Sequence, residues 1–96
     1  MEDFICSLPA RVDARNAAAI QEEVMAQVEQ AVSSDCSRFV MDMEETGYLS
    51  SAGLRIINMS YQRIKGAGKE FTLKNVSDAI RDLLDVTGFS GYLPME

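Results

Sequence analysis

Arg38-Phe39-Val40-Met41-Asp42-Met43 runs directly into Glu44-Glu45-Thr46-Gly47-Tyr48-Leu49-Ser50-Ser51-Ala52-Gly53-Leu54. The first six residues are a nearly continuous apolar run of strand length, a pattern that suits a central parallel strand covered on both faces. A helix is expected to begin near Ser50 or Ser51, with Leu54, Ile57, Tyr61 and Ile64 forming its inner stripe at spacings of three and four. Arg63 and Lys65 fall in its last turn, where cations meet the negative end of the helix dipole, and Gly66-Ala67-Gly68 ends it. In open α/β sheets, functional sites gather at the carboxyl ends of strands, so the junction from Glu44 to Gly53 is the first place to look for one.

The flanking segments repeat this alternation. Upstream, Phe4-Ile5-Cys6-Ser7-Leu8 reads as a first strand that Pro9 limits, and Ala10-Arg11-Val12 as a short second one. Ala17, Ile20, Val24, Val28 and Ala31 then line one face of a helix, with Asp13 and Asn16 both suited to cap its start. Ser33-Ser34-Asp35 breaks that helix. Downstream, Phe71 and Leu73 alternate with polar residues in a strand from Glu70 to Lys74. Ser77 and Asp78 open a third helix whose buried side is Ile80, Leu83, Leu84 and Val86, and Gly88 stops it. The tail from Phe89 to Glu96 is apolar enough to pack but too short to classify. Alternating strands and helices imply right-handed crossovers and helices laid on a mixed or parallel sheet, here as one domain over residues 1–96.

Composition narrows the function. At 96 residues, 47% hydrophobic and 25% charged, the chain has the makeup of an ordinary globular protein with one core. Its net charge of −6, with nine scattered basic residues, argues against nucleic-acid binding, which needs clustered Lys and Arg. No apolar run approaches the roughly 18 residues of a membrane span, and Met1-Glu2-Asp3 lacks the basic start of a signal peptide, so a cytoplasmic location without membrane insertion is expected. Cys6 and Cys36 read as free thiols. The absence of histidine excludes a Ser-His-Asp triad and removes the usual base near neutral pH.

The remaining chemistry centres on the serine pair. A serine at a helix start faces unpaired backbone N–H groups, so a phosphoryl group on Ser50 or Ser51 would be stabilised there. Serine is equally a preferred helix cap, and the pair needs no further purpose on that reading. Ala52 and Gly53 favour a functional reading, because a first helical turn without bulky side chains leaves a flat surface that another protein can approach. Gly66-Ala67-Gly68 leads from helix to strand, opposite to a dinucleotide loop, and no Walker-type lysine follows a glycine-rich stretch. Asp42, Glu44 and Glu45 match no calcium loop and read as a solvated acidic rim, expected to lie near the serine pair. No catalytic residue, metal site or cofactor is expected, and an enzyme is the least supported class.

The stretch from Phe39 to Leu54 resembles the signature of the STAS domain of bacterial anti-sigma factor antagonists. The similarity extends to Ala10-Arg11-Val12-Asp13 and to the segment from Ser77 to Leu93, covering nearly the whole chain. The resemblance implies a STAS-type α/β fold, a four- to five-stranded mixed sheet with three to four helices. It also implies a regulatory, protein-binding role in transcription. In the family, an anti-sigma factor that is also a serine kinase phosphorylates a serine at the start of the second helix. The unphosphorylated form captures that kinase, and a serine phosphatase restores it. The matching phosphoacceptor is Ser51, with Ser50 the alternative; Ala52 and Gly53 take the close-approach positions and Asp13 the acidic position near the partner-binding edge. Where family members commonly carry aspartate before the phosphoacceptor, this chain has Ser50. An alternative of another class is a non-phosphorylated STAS-like subunit docked on a transporter ATPase, in which the serines only cap the helix.

Overall fold

The computed structural model describes residues 3–96. Five short strands and three helices alternate as β1 (Asp3–Ser7), β2 (Arg11–Val12), α1 (Ala17–Ser33), β3 (Arg38–Asp42), β4 (Tyr48–Leu49), α2 (Ser51–Gly66), β5 (Glu70–Lys74) and α3 (Asp78–Thr87). The strands divide into a three-stranded sheet of order β1-β3-β5 and a separate β2-β4 pair. Every one of these ladders is parallel, which is one of the two forms expected, and the strands divide into a larger and a smaller parallel piece. The α/β class and the central place of β3 are as read from the apolar run.

Register explains the core. Phe4, Phe39 and Phe71 sit side by side across the sheet, followed two residues on by Cys6, Met41 and Leu73. The three rings stack in sequence, with centroids 5.7 and 5.9 Å apart and planes inclined by 10°. All six side chains on this face pack in one cluster with Val24 and Val28 of α1, Ile57 and Ile64 of α2, and Ile80 and Leu84 of α3. On the other face Val40 is buried but lies outside that cluster, and Ile5 is 58% exposed. The expected cover on both faces of β3 is present at its centre, where Phe39, Val40 and Met41 are all buried, and the helix side chains cluster on the face of Phe39 and Met41. Residues Leu54, Ile57, Tyr61 and Ile64 all face inward as their spacing predicts. Ile56 and Ser60 are buried as well, because α2 packs against α1 in addition to the sheet.

The helix ends follow local chemistry. Ser77 Oγ accepts from Ile80 N at 3.2 Å to start α3, and Gly88 ends it in the left-handed region at φ 85°, where other residues are strained. Val86 departs from expectation and is 85% exposed. Six residues beyond Ile80, a helix has turned roughly 120° away from the Ile80 direction, and α3 has only a narrow buried stripe. The tail forms a 3-10 turn at Phe89–Gly91, buries Leu93, and lies along β5 through Leu73 N to Pro94 O and Glu96 N to Leu73 O, both 2.9 Å.

Cys6 and Cys36 are free and buried. Burial pushes the Cys6 thiol up to about 11, so almost none of it is thiolate near pH 8. Iodoacetamide at pH 8 is expected to leave Cys6 unmodified in the native protein and to alkylate it in 6 M guanidinium, as read by peptide mass spectrometry. Labelling at equal rates in both conditions would contradict the burial.

Candidate functional site

Two loops meet at the carboxyl end of β3. The segment after β1 and the segment after β3 are zipped together by the β2-β4 pair, in which Arg11 lies opposite Tyr48 and Val12 opposite Leu49. Gly47 N donates to Ala10 O at 2.9 Å and Ser50 N to Val12 O at 2.8 Å, extending the ladder at both ends. Thr46, buried, donates its hydroxyl to Pro9 O at 2.9 Å. Val12 and Leu49 point into the core, while Arg11 and Tyr48 point out. The result is a firm attachment between the start of α2 and the loop before α1.

The serine pair divides its tasks. Ser50 has extended backbone and is the N-cap of α2, its Oγ accepting from Gly53 N at 3.4 Å. Ser51 is the first helical residue and its side chain is exposed. Capping thus accounts for Ser50 alone and leaves the Ser51 hydroxyl facing solvent. Ala52 is partly buried and Gly53 buried. This corrects the expected flat outer surface at Gly53: a Cβ there would point inward, 3.0 Å from Leu49 Cδ2 and 3.1 Å from Val12 Cγ1. Glycine at this position permits close packing of α2 on the β2-β4 pair.

Asp13 organises the facing loop. Its Oδ1 accepts from Arg15 N at 2.9 Å and Asn16 N at 3.2 Å, and Asn16 Oδ1 accepts in return from Asp13 N at 2.9 Å. This reciprocal arrangement has the form of a capping box, so Asp13 and Asn16 share the start of α1 between them. Asp13 Oδ2 accepts from Arg11 Nε at 2.7 Å. That hydrogen bond, then the two backbone N–H groups, holds the Asp13 carboxyl below the usual carboxylate range. The Arg11 guanidinium in turn lies 4.3 Å from the centroid of the Tyr48 ring.

Ser50, Asp13, Arg11, Arg15 and Tyr48 line one open depression of about 550 Å³. The acidic residues expected beside the serines are elsewhere: Asp42, Glu44 and Glu45 line a separate depression of about 130 Å³ with Ser7 and Leu8. Asp42 accepts from Asn75 Nδ2 and Glu44 N, both at 3.0 Å, and these bonds hold its carboxyl below the usual range. The charge in the depression beside Ser50 is therefore mixed and includes two arginines. The sequence alone does not mark Arg11, Arg15 or Tyr48 as site residues. Their only local signal is the exposed-buried alternation of Arg11-Val12 and Tyr48-Leu49, two residues each and too short to stand out. Among the described residues, no group of three or more Cys, Asp or Glu side chains could hold a metal ion, and no helix is long and apolar enough to cross a membrane.

A small parallel α/β fold thus carries an exposed serine at the first position of its second helix, directly after the serine that caps it. The STAS domain family profile matches residues 2–96, and the chain belongs to that family. It is 28% identical over 92 residues to the putative anti-sigma factor antagonist BtrV of Bordetella bronchiseptica, covering 96% of this chain and 76% of BtrV. Among solved structures it superposes on an anti-sigma-factor antagonist domain protein from Planctomyces limnophilus with a TM-score of 0.82 at 21% identity, covering 95% of this chain and 79% of the other. The Bacillus cell fate determinant SpoIIAA is similar at 14% identity, with TM-scores of 0.74 in its unphosphorylated form and 0.68 in its phosphorylated form. These two comparisons cover 99% of this chain and 80% and 83% of the SpoIIAA chains.

Proposed function

We propose that this protein is an anti-sigma factor antagonist whose partner binding is switched by phosphorylation of Ser51. The unphosphorylated form captures an anti-sigma factor that is also a serine kinase, through the surface containing Asp13, Ser50, Ser51 and Ala52. The kinase transfers a phosphoryl group from a nucleoside triphosphate. Ser51 Oγ gains a bond to the terminal phosphorus, the bond from that phosphorus to the bridging oxygen breaks, and the hydroxyl proton passes to a base on the kinase. The partner is then released, and a serine phosphatase restores the hydroxyl. This cycle belongs to the cytoplasm.

The observation that carries the reading is the division of labour in the pair: Ser50 caps, and Ser51 is exposed at the first helical position. Membership of the family supports it. A binding role is favoured over catalysis because the chain has no histidine, and the carboxylate in the depression beside Ser50, Asp13, is a poor base with its pKa held down by Arg11.

Phosphoserine adds roughly −1.5 to −2 charges. Enclosed in an interface that fits a neutral hydroxyl, such added charge costs several kcal/mol, enough to expel a protein held at micromolar affinity. Ser51→Asp is expected to weaken binding to the cognate anti-sigma factor about 30-fold or more, equivalent to roughly 2 kcal/mol, while Ser51→Ala retains affinity. Titration calorimetry measures both, and mass spectrometry after exposure to the kinase and ATP is expected to place one phosphoryl group on Ser51. Equal affinities for the two variants reject the switch. A chain that takes no phosphate, yet assembles stably with a transporter ATPase, is the structural-subunit alternative.

A further inference from the structure

Arg11 shares a depression with Ser50, the residue before the proposed phosphoacceptor. Its side chain is 62% exposed, its Nε is committed to Asp13, and its guanidinium rests against Tyr48. The contact with Asp13 is made through Nε, whereas a guanidinium presents five N–H donors in a fork suited to a phosphate. Strand pairing fixes where this group can go. Arg11 is opposite Tyr48, and Ser50 N is bonded to Val12 O, so Arg11 lies on the strand paired with the segment that leads into the serines and lines one depression with Ser50, the residue before Ser51.

We propose that Arg11 is the internal receiver of the phosphoryl group on Ser51, exchanging Asp13 for the phosphate when the serine is modified. The inference rests on the phosphoserine reading and adds to it a second event on the same surface. The exchange has a physical direction. A dianion with three acceptor oxygens attracts a guanidinium more strongly than one carboxylate oxygen does, and it can engage two donors at once. Asp13 is not stranded by the loss, because the N–H groups of Arg15 and Asn16 still bind its other oxygen. Tyr48 gives the guanidinium a surface on which to pivot without leaving the depression.

The consequence reaches beyond the added charge. Asp13 loses its counter-ion and gains a negative neighbour, so one modification alters two groups on the proposed partner face. Arg15 lines the same depression and is the competing candidate for receiver.

The test uses the full chain with phosphoserine installed at position 51 during translation, which needs no kinase. Phosphorus NMR follows the last ionisation of the phosphate, near pH 6 in an unperturbed phosphoserine. At low ionic strength, a neighbouring guanidinium is expected to lower that pKa by roughly half a unit relative to the Arg11→Gln chain, with Arg11→Lys intermediate and Arg15→Gln close to unchanged. Carbon NMR is expected to show the Asp13 carboxyl titrating at higher pH once Ser51 is phosphorylated. Identical phosphate titrations with and without Arg11, or a shift lost with Arg15→Gln instead, overturn the assignment. Failure of the kinase to modify Ser51 in the unaltered chain would remove the switch while leaving an Arg11-dependent titration intact. Phosphorylation and partner release with an Arg11-independent titration would do the reverse.

Discussion

Gly53→Val is expected to destabilise the protein by about 2 kcal/mol, within the range for overpacking a well-filled site. The added Cβ would fall 3.0 Å from Leu49 Cδ2, 3.1 Å from Val12 Cγ1 and 3.2 Å from Val12 Cβ. The Leu49 methyl can swing aside, but Val12 Cβ is fixed to its strand, so relief requires the β2-β4 pair to separate from α2. That movement strains the 2.8 Å bond from Ser50 N to Val12 O, which positions the serine pair beside Asp13. Gly53→Ala adds the same close contacts without the two γ-methyls, and its better helix propensity, worth up to about 1 kcal/mol, offsets part of the crowding. Urea unfolding of the three proteins measures the order: wild type and Gly53→Ala close together, Gly53→Val well below. A Gly53→Val protein as stable as wild type would mean that α2 does not pack on the strand pair as closely as the distances state.

Phe39→Ala is expected to cost about 3–5 kcal/mol, the range for removing a fully buried aromatic side chain. Phe39 is 0% exposed, lies on the central strand, and stacks between Phe4 and Phe71. Phe71 in turn meets Tyr61 of α2 edge-on, with centroids 5.6 Å apart and planes at 78°. Deleting the middle ring leaves a cavity that neither neighbour can close without moving its strand. Against a total stability of roughly 5–15 kcal/mol for a domain, this loss can unfold much of the population at 37 °C. The urea midpoint is expected to fall with an unchanged slope, because the surface exposed on unfolding hardly differs. A loss below 1 kcal/mol would show that Phe39 is not the centre of the core.

The relation between sequence and fold differs from element to element. The strand Glu70–Lys74 and the start of α3 at Ser77 and Asp78 were legible because alternation and capping are local patterns, written within a few residues. β4 was not, since Tyr48-Leu49 is too short for any periodicity to register. Val86 shows a third case: its apolar character suggested burial, but the α3 surface it occupies meets nothing.

The candidate site has the same division. Ser50 and Ser51 at a helix start could be recognised from the junction itself, and the resemblance singled out Ser51 and Asp13. Which serine caps depended on the backbone, extended at Ser50 and helical from Ser51. Which charges surround them depended on pairing between residues more than thirty positions apart, Arg11 with Tyr48 and Val12 with Leu49. Chain proximity suggested Asp42, Glu44 and Glu45 as neighbours, but the depression beside Ser50 is lined by Arg11, Asp13 and Arg15.

From its order of residues alone, this protein is an alternating α/β domain with one core and an uncharged hydroxyl pair opening its second helix. Hydrophobic spacing and capping act over a few bonds and can be read in one dimension. The mixed charge beside Ser50, the inward purpose of Gly53 and the exposed flank of α3 arise only when distant segments pack, because electrostatic and steric environments are set by neighbours in space.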